Sequence, residues 1–243
     1  MIRIIFCYTF LVLLVLTSCN RQNEKEKQGD MAQDDSMPEN NADYTYLALG
    51  DSYTIGEGVE TAARFPVQLS EKLTRNGFLV DTPEIVAQTG WTTDELAAAV
   101  AGRKLDEKYD LVTLLIGVNN QFRGRDSGEY RTQFAELLQT AAGIAGDEAS
   151  VIVISIPDYG VTPFGRERNP EMIAKEIDLF NQINYEETRK TSARYIDITG
   201  ISRQAVNNPE LIASDGLHPS GGMYRLWVEE IFPVARQILE NSN

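Results

Sequence analysis

Five short apolar runs, at 45–49, 84–88, 111–116, 150–156 and 194–198, alternate with amphipathic stretches of helical period, and this alternation constrains the fold more than any other feature. The helical stretches cover 64–75 (apolar at Phe65, Leu69 and Leu73), 93–102, 130–145 (Phe134, Leu137, Leu138, Ile144), 171–190 (Ile173, Ile177, Phe180, Ile183) and 221–240. A strand that feeds a helix and then a second strand re-enters its sheet in the parallel sense, with helices covering both faces. The runs 111–116 and 151–156 are apolar at almost every position, as strands buried from both sides are. The expectation is an α/β domain, a three-layer αβα sandwich with a central, mainly parallel five-stranded sheet. No internal repeat is present, and residues 44–243 have the length of a single domain.

In such a sheet ligands bind beyond the carboxyl ends of the strands, so the residues that follow each run matter most. Gly50-Asp51-Ser52-Tyr53 follows the first run, Gly90 the second and Asn119 the third, while the only histidine lies far downstream in Asp215-Gly216-Leu217-His218. A serine hydroxyl is a weak nucleophile at neutral pH and needs a general base within hydrogen-bond reach, oriented by a third group. With one imidazole in the chain, His218 is that base if such chemistry occurs. Each piece also has a plainer reading. Gly-Asp-Ser is a common turn sequence, Asn119 could cap the following segment, Gly90 could end a strand, and a lone histidine is more often structural.

Taken together, four blocks resemble the SGNH (GDSL-type) hydrolase family in number, order and spacing. They are Gly50-Asp51-Ser52-Tyr53-Thr54, Gln88-Thr89-Gly90-Trp91-Thr92, Gly117-Val118-Asn119-Asn120 and Asp215-Gly216-Leu217-His218-Pro219, and the resemblance runs from Tyr46 to the C-terminus. It implies a flavodoxin-like sandwich with Ser52 as nucleophile, His218 as base, Asp215 as orienting acid, and Gly90 and Asn119 as oxyanion donors. The asparagine block usually continues with an acid, and Asn120 stands there instead, which bears on the hydrogen bonding around Asn119. The chemistry agrees with the assignment. Acyl transfer builds negative charge on the carbonyl oxygen, and the backbone N–H groups of Ser52 and Gly90 with the Asn119 amide make three preorganised donors. An Asp three residues before a His can turn back onto the ring when both lie on a tight loop, which Gly216 and Pro219 favour.

The N-terminus carries a separate signal. Arg3 precedes an apolar run from Ile4 to Leu16, ending in Leu16-Thr17-Ser18-Cys19. A charged start, a short apolar stretch and small residues describe a secretory signal rather than a membrane span, which needs about 20 apolar residues. The ending resembles a bacterial lipobox, so residues 1–18 are expected to be a lipoprotein signal peptide and Cys19 the lipidated first residue of an exported, membrane-anchored protein. Residues 19–43 are polar, poor in aromatics and without periodicity, the composition of a disordered acidic tether. Removing residues 1–18 deletes one charged group, Arg3, and takes the formal charge from -14 to -15. A surface so acidic argues against nucleic acid, whose binding requires a basic footprint, and it leaves the lipid rather than a polybasic patch to hold a membrane. With Cys7 in the signal and Cys19 acylated, no thiol remains for a disulfide, and one histidine makes a zinc site unexpected.

No cofactor is expected. Gly56-Glu57-Gly58 lacks the third glycine of a dinucleotide fingerprint, and neither a Walker sequence nor a Gly-x-Ser-x-Gly elbow occurs. The sequence therefore predicts a serine esterase or acylhydrolase acting on a small-molecule or glycan ester through an acyl-enzyme. The alternatives are a carbohydrate O-deacetylase, a lysophospholipase or a thioesterase with the same machinery, and a non-enzymatic glycan-binding lipoprotein, since folds are reused. Segments 120–130 and 157–170 are expected to shape the pocket. They carry Arg123, Arg125, Arg166 and Arg168 beside Asp126, Glu129, Asp158 and Glu167, with few large aliphatics, which favours a short acyl group unless these charges are merely solvated pairs.

Overall fold

The structure, a computed structural model, describes residues 42–105 and 108–242. The expected signal segment, Cys19 and the tether up to residue 41 lie outside the described residues. The strands are β1 (Tyr46–Gly50), β2 (Glu84–Ala87), β3 (Leu111–Leu115), β4 (Val151–Ile154) and β5 (Arg194–Ile196). The helices are α1 (Ser52–Ile55), α2 (Phe65–Arg75), α3 (Thr93–Ala101), α4 (Val118–Phe122), α5 (Ser127–Ala145), α6 (Pro163–Arg166), α7 (Pro170–Thr188), α8 (Thr199–Ser202) and α9 (Gly221–Asn241).

All four strand pairings are parallel, in the order β2-β1-β3-β4-β5, so the sheet expected to be mainly parallel is wholly so. The chain steps from β1 to β2 in one direction and then from β2 to β3 in the other. Because strand-to-strand crossovers are right-handed, that reversal sends α2 to one face and α3, α5 and α7 to the other. Helix α9 returns to pack on α2, while α5 packs on α3 and α7. Strands β1, β3 and β4 are buried along their whole length, in keeping with their largely apolar composition. The edge strands, of four and three residues, are short and only partly covered, which limits the unpaired edge open to association.

Helix starts follow local capping chemistry. Asp126 accepts hydrogen bonds from the backbone N–H groups of Gly128 and Glu129, both at 2.9 Å. Helix α5 therefore begins at Ser127, three residues before the start expected from apolar periodicity, because the cap and not the first buried residue sets the boundary. Thr92 and Glu95 form a capping box at α3, and Asn169 caps α7 ahead of Pro170. The core contains the fully buried rings of Tyr46, Phe65, Tyr130, Phe134, Tyr224 and Trp227, each contributing about 1.5–3 kcal/mol by leaving water. Tyr130 also ties the end of β3 to α7, its single hydroxyl proton shared between Asn184 Oδ1 (2.6 Å) and, more distantly, Ile116 O (3.2 Å).

Candidate active site

The reversal between β1 and β3 opens a crevice at the carboxyl edge of the sheet, the position where such sheets bind ligands. Three of the four sequence blocks end there because each directly follows a strand. Ser52 is the first residue of α1, behind the N-cap Asp51, whose Oδ1 accepts from Tyr53 N at 3.0 Å. The fourth block reaches the same place from the loop before α9. One pocket of about 150 Å³ is lined by Ser52, Gly90, Asn119 and His218, together with Tyr53, Thr89, Val118, Phe122, Tyr159, Phe164 and Leu217.

Asp215 and His218 form a local unit. Asp215 Oδ1 accepts from the backbone N–H groups of Leu217 (2.9 Å) and His218 (3.0 Å), which folds the carboxylate over its own turn. The other oxygen, Oδ2, lies 2.7 Å from His218 Nδ1. That contact fixes the ring orientation and leaves Nε2 as its free nitrogen. Partial burial pushes the Asp215 carboxyl up, but the hydrogen bonds from Leu217 N, the His218 ring and His218 N outweigh it and hold it below the usual carboxylate value. The His218 and Tyr53 rings meet edge to face at a centroid distance of 5.8 Å, and Tyr53 is held in turn by Tyr224 Oη donating to its carbonyl at 3.0 Å.

Gly90 lies in a turn closed by Trp91 N donating to Gln88 O at 3.2 Å. Its φ of +88° is the left-handed value that the third residue of a type II turn requires, so this glycine shapes the turn rather than ending the strand, which stops at Ala87. Among the described residues, neither Ser52 N–H nor Gly90 N–H has a protein acceptor. Asn119 is the second residue of α4, whose N-cap is Gly117, so it does not cap that helix. Its Nδ2 donates to Trp91 O at 2.9 Å, and since an amide nitrogen has two hydrogens, one remains to be offered to the pocket. The buried Asn120 reaches the start of α3, accepting from Thr93 N (3.1 Å) and donating to Thr93 Oγ1 (2.8 Å). Thr93 Oγ1 passes its own proton to Gln133 Oε1 at 2.5 Å, so every member of this chain has a partner.

Sequence reasoning missed the aromatic wall. Phe122, Tyr159 and Phe164 come from the two segments expected to shape the pocket and pack against one another at centroid distances of 6.1–6.4 Å. The charges singled out in those segments mostly hold structure instead. Asp126 caps α5, Asp158 caps its own turn and pairs with Arg203 Nε at 2.9 Å, and Arg168 lies over the Phe164 ring at 3.5 Å. Three aromatic residues in two loops that follow central strands were the available signal. Among the described residues, no cluster of three or more His, Cys, Asp or Glu is placed to hold a metal ion, and no helix is long and apolar enough to cross a membrane.

The fold and these blocks define a hydrolase class. Residues 48–226 match the model of the GDSL-like lipase/acylhydrolase family, and the chain belongs to that family of carboxylic ester hydrolases. No curated protein matches it. Solved structures share its fold at low identity. TesA aligns with a TM-score of 0.65 and 19% identity over 80% of this chain and 99% of that one. The psychrotrophic esterase EstA from Pseudoalteromonas sp. aligns at 0.60 and 18% identity, over 82% and 100% of the two chains. Axe2, an acetylxylan esterase from Geobacillus stearothermophilus, aligns at 0.60 and 18% identity, over 80% and 94%.

Proposed function

We propose that the protein is a serine esterase that hydrolyses short-chain carboxylic esters through an acyl-enzyme. The observation that carries this reading is the Asp215–His218 contact of 2.7 Å on a ring that shares its pocket with Ser52. His218 Nε2 takes the Ser52 hydroxyl proton as Oγ attacks the ester carbonyl, and Asp215, ionised at neutral pH, stabilises the imidazolium that forms. The tetrahedral oxyanion accepts hydrogen bonds from Ser52 N, Gly90 N and Asn119 Nδ2. Collapse expels the alcohol with the proton from His218, and water then repeats the sequence on the acyl-enzyme.

Pocket size supports a short acyl group. The volume of about 150 Å³ is below the roughly 300–1,000 Å³ of pockets that enclose drug-sized ligands. The same small pocket, with the fold shared by an acetylxylan esterase, favours carbohydrate O-deacetylation as the second reading. We further infer that Cys19 is lipidated after cleavage at residue 18 and anchors the exported protein to a bacterial membrane, a reading supported by the sequence of residues 1–19.

A fluorophosphonate probe tests the chemistry, with labelling expected on Ser52 and lost in Ser52→Ala. Ser52→Ala and His218→Ala are each expected to lower kcat by about 10³-fold or more, and Asp215→Asn by less. Near wild-type turnover in His218→Ala would overturn the triad, and silence toward the probe would favour a glycan-binding lipoprotein. On nitrophenyl esters, kcat/KM is expected to peak between acetyl and butyryl. A steady climb through decanoyl would move the assignment to a lysophospholipase or thioesterase. Mass spectrometry of the membrane fraction should find lipid on Cys19, and an unmodified Cys19 would overturn the anchor.

A further inference from the structure

We propose that Arg123 is a positioning residue that holds the Gly90 turn in the conformation from which its N–H serves the oxyanion. This deepens the esterase reading above and rests on it. The turn at 88–91 is closed by one backbone hydrogen bond of 3.2 Å and contains a glycine, the residue with the most backbone freedom to lose. A donor that must be preorganised therefore sits in a segment with little intrinsic rigidity.

Helix α4 and the residue after it supply the missing rigidity. Arg123 Nη2 donates to Gly90 O at 2.6 Å, and Asn119 Nδ2 donates to Trp91 O at 2.9 Å. Asn119 and Arg123 are four residues apart and so project from the same side of the helical turn. They grip two successive carbonyls of the segment that carries the Gly90 donor. Arg123 is itself fastened, because Nη1 reaches Glu95 Oε1 at 3.2 Å while Glu95 Oε2 accepts from Thr92 N at 2.9 Å in the capping box of α3. The guanidinium thus links Gly90 O to the start of a helix. A planar fork with fixed donor directions can do both at once, whereas a lysine ammonium on a flexible stem cannot hold the two acceptors in one plane. On the other side of the turn, Thr89 Oγ1 donates to Glu57, so Arg123 completes a two-sided mount. Arg123 is absent from the pocket lining, which separates this role from substrate contact.

Arg123→Ala and Arg123→Lys in the otherwise intact chain test the proposal, with Ser52→Ala as reference. Misplacing an oxyanion donor without deleting it is expected to lower kcat by about 10- to 100-fold in Arg123→Ala, with KM and the pH profile of kcat unchanged. Arg123→Lys should fall between that variant and the wild type. Affinity for an alkyl trifluoromethyl ketone, which forms a tetrahedral oxyanion on the serine, should drop by the same factor as kcat. Wild-type kcat in Arg123→Ala overturns the proposal, and so does a loss confined to KM, which would make Arg123 a substrate contact. A kcat loss without a matching loss of ketone affinity also overturns it, since a merely structural role produces that pattern. If Ser52→Ala itself retains turnover, the esterase reading fails. If Ser52→Ala is inactive while Arg123→Ala is not impaired, the positioning role alone fails.

Discussion

Asp51→Asn probes the electrostatic cost of building a nucleophile turn inside the protein. Asp51 is fully buried, and while Oδ1 caps α1, Oδ2 has no hydrogen-bond partner among the described residues. Burial, only partly offset by the backbone hydrogen bond from Tyr53, pushes its pKa from 3.8 up to about 7. Below pH 3.8 the carboxyl is protonated in both the folded and unfolded chain, and its contribution to stability is fully present. As pH rises toward 7, the unfolded chain releases this proton and the folded chain retains it, so stability is lost across that window. About three pH units at ~1.36 kcal/mol each amount to roughly 4 kcal/mol. Asparagine keeps the capping oxygen and puts an uncharged amide nitrogen where the protonated carboxyl already has an unpartnered Oδ2, so its contribution does not change with pH. The variant should therefore be close in stability to wild type near pH 4 and more stable near pH 8. For a domain of this size 1 kcal/mol corresponds to about 2–4 °C, so the difference in Tm should swing by roughly 8–16 °C between those limits. Calorimetry on both proteins across that range measures it. Tm curves that stay parallel would refute the reasoning and mean that Asp51 titrates normally.

Asn119→Ala should lower kcat by about 10²- to 10³-fold with little change in KM, because the lost hydrogen bond forms fully only in the transition state. A predominantly KM effect in steady-state assays would instead make Asn119 a substrate-binding residue. Asn120→Asp restores the usual acid at a buried site where Thr93 already gives its hydroxyl proton to Gln133. Urea unfolding at pH 8 should show a loss of about 1–3 kcal/mol, and an unchanged midpoint would mean that the network re-forms around the carboxylate. Phe122 is 51% exposed at the pocket mouth, so Phe122→Ala should lengthen the apolar path. Two further buried methylenes at about 0.8 kcal/mol each would raise the octanoyl-to-acetyl ratio of kcat/KM by roughly 15-fold, and an unchanged ratio would place the acyl group elsewhere.

The convergence of Ser52, Gly90 and Asn119 was legible in the sequence because each follows a strand of a parallel sheet, and such a sheet collects those positions on one edge. The Asp215–His218 contact was legible for a different reason: it spans three residues and depends on a single turn. The aromatic wall was not, since Phe122 and Phe164 lie 42 positions apart and nothing in the sequence states that their rings meet. The structural roles of Arg123, Asp126, Asp158 and Arg168 were not legible for the same reason. Composition places charge in a loop, but only geometry tells a cap or a carbonyl tie from a charge that faces the substrate. The start of α5 shows this on a small scale, where Asp126 looked like a rim charge and is the residue that begins the helix.

The segment from Gly117 to Arg123 combines duties that the rest of the domain keeps apart. Gly117 has a φ of +127°, and a Cβ there would stand 2.3 Å from Tyr130 Oη, so the glycine lets β3 end against the tyrosine that ties it to α7. Asn119 faces the pocket, Asn120 holds the start of α3, Phe122 walls the pocket and Arg123 grips the Gly90 turn. Residues in one hydrogen-bonded network couple, typically by about 0.5–3 kcal/mol in double-mutant cycles. Substitutions at 119, 120 and 123 should therefore act non-additively on kcat, because each loosens the same 90–93 segment and the first to do so removes much of what the others could disturb. Phe122, which touches that segment through none of the hydrogen bonds, should add independently to any of them.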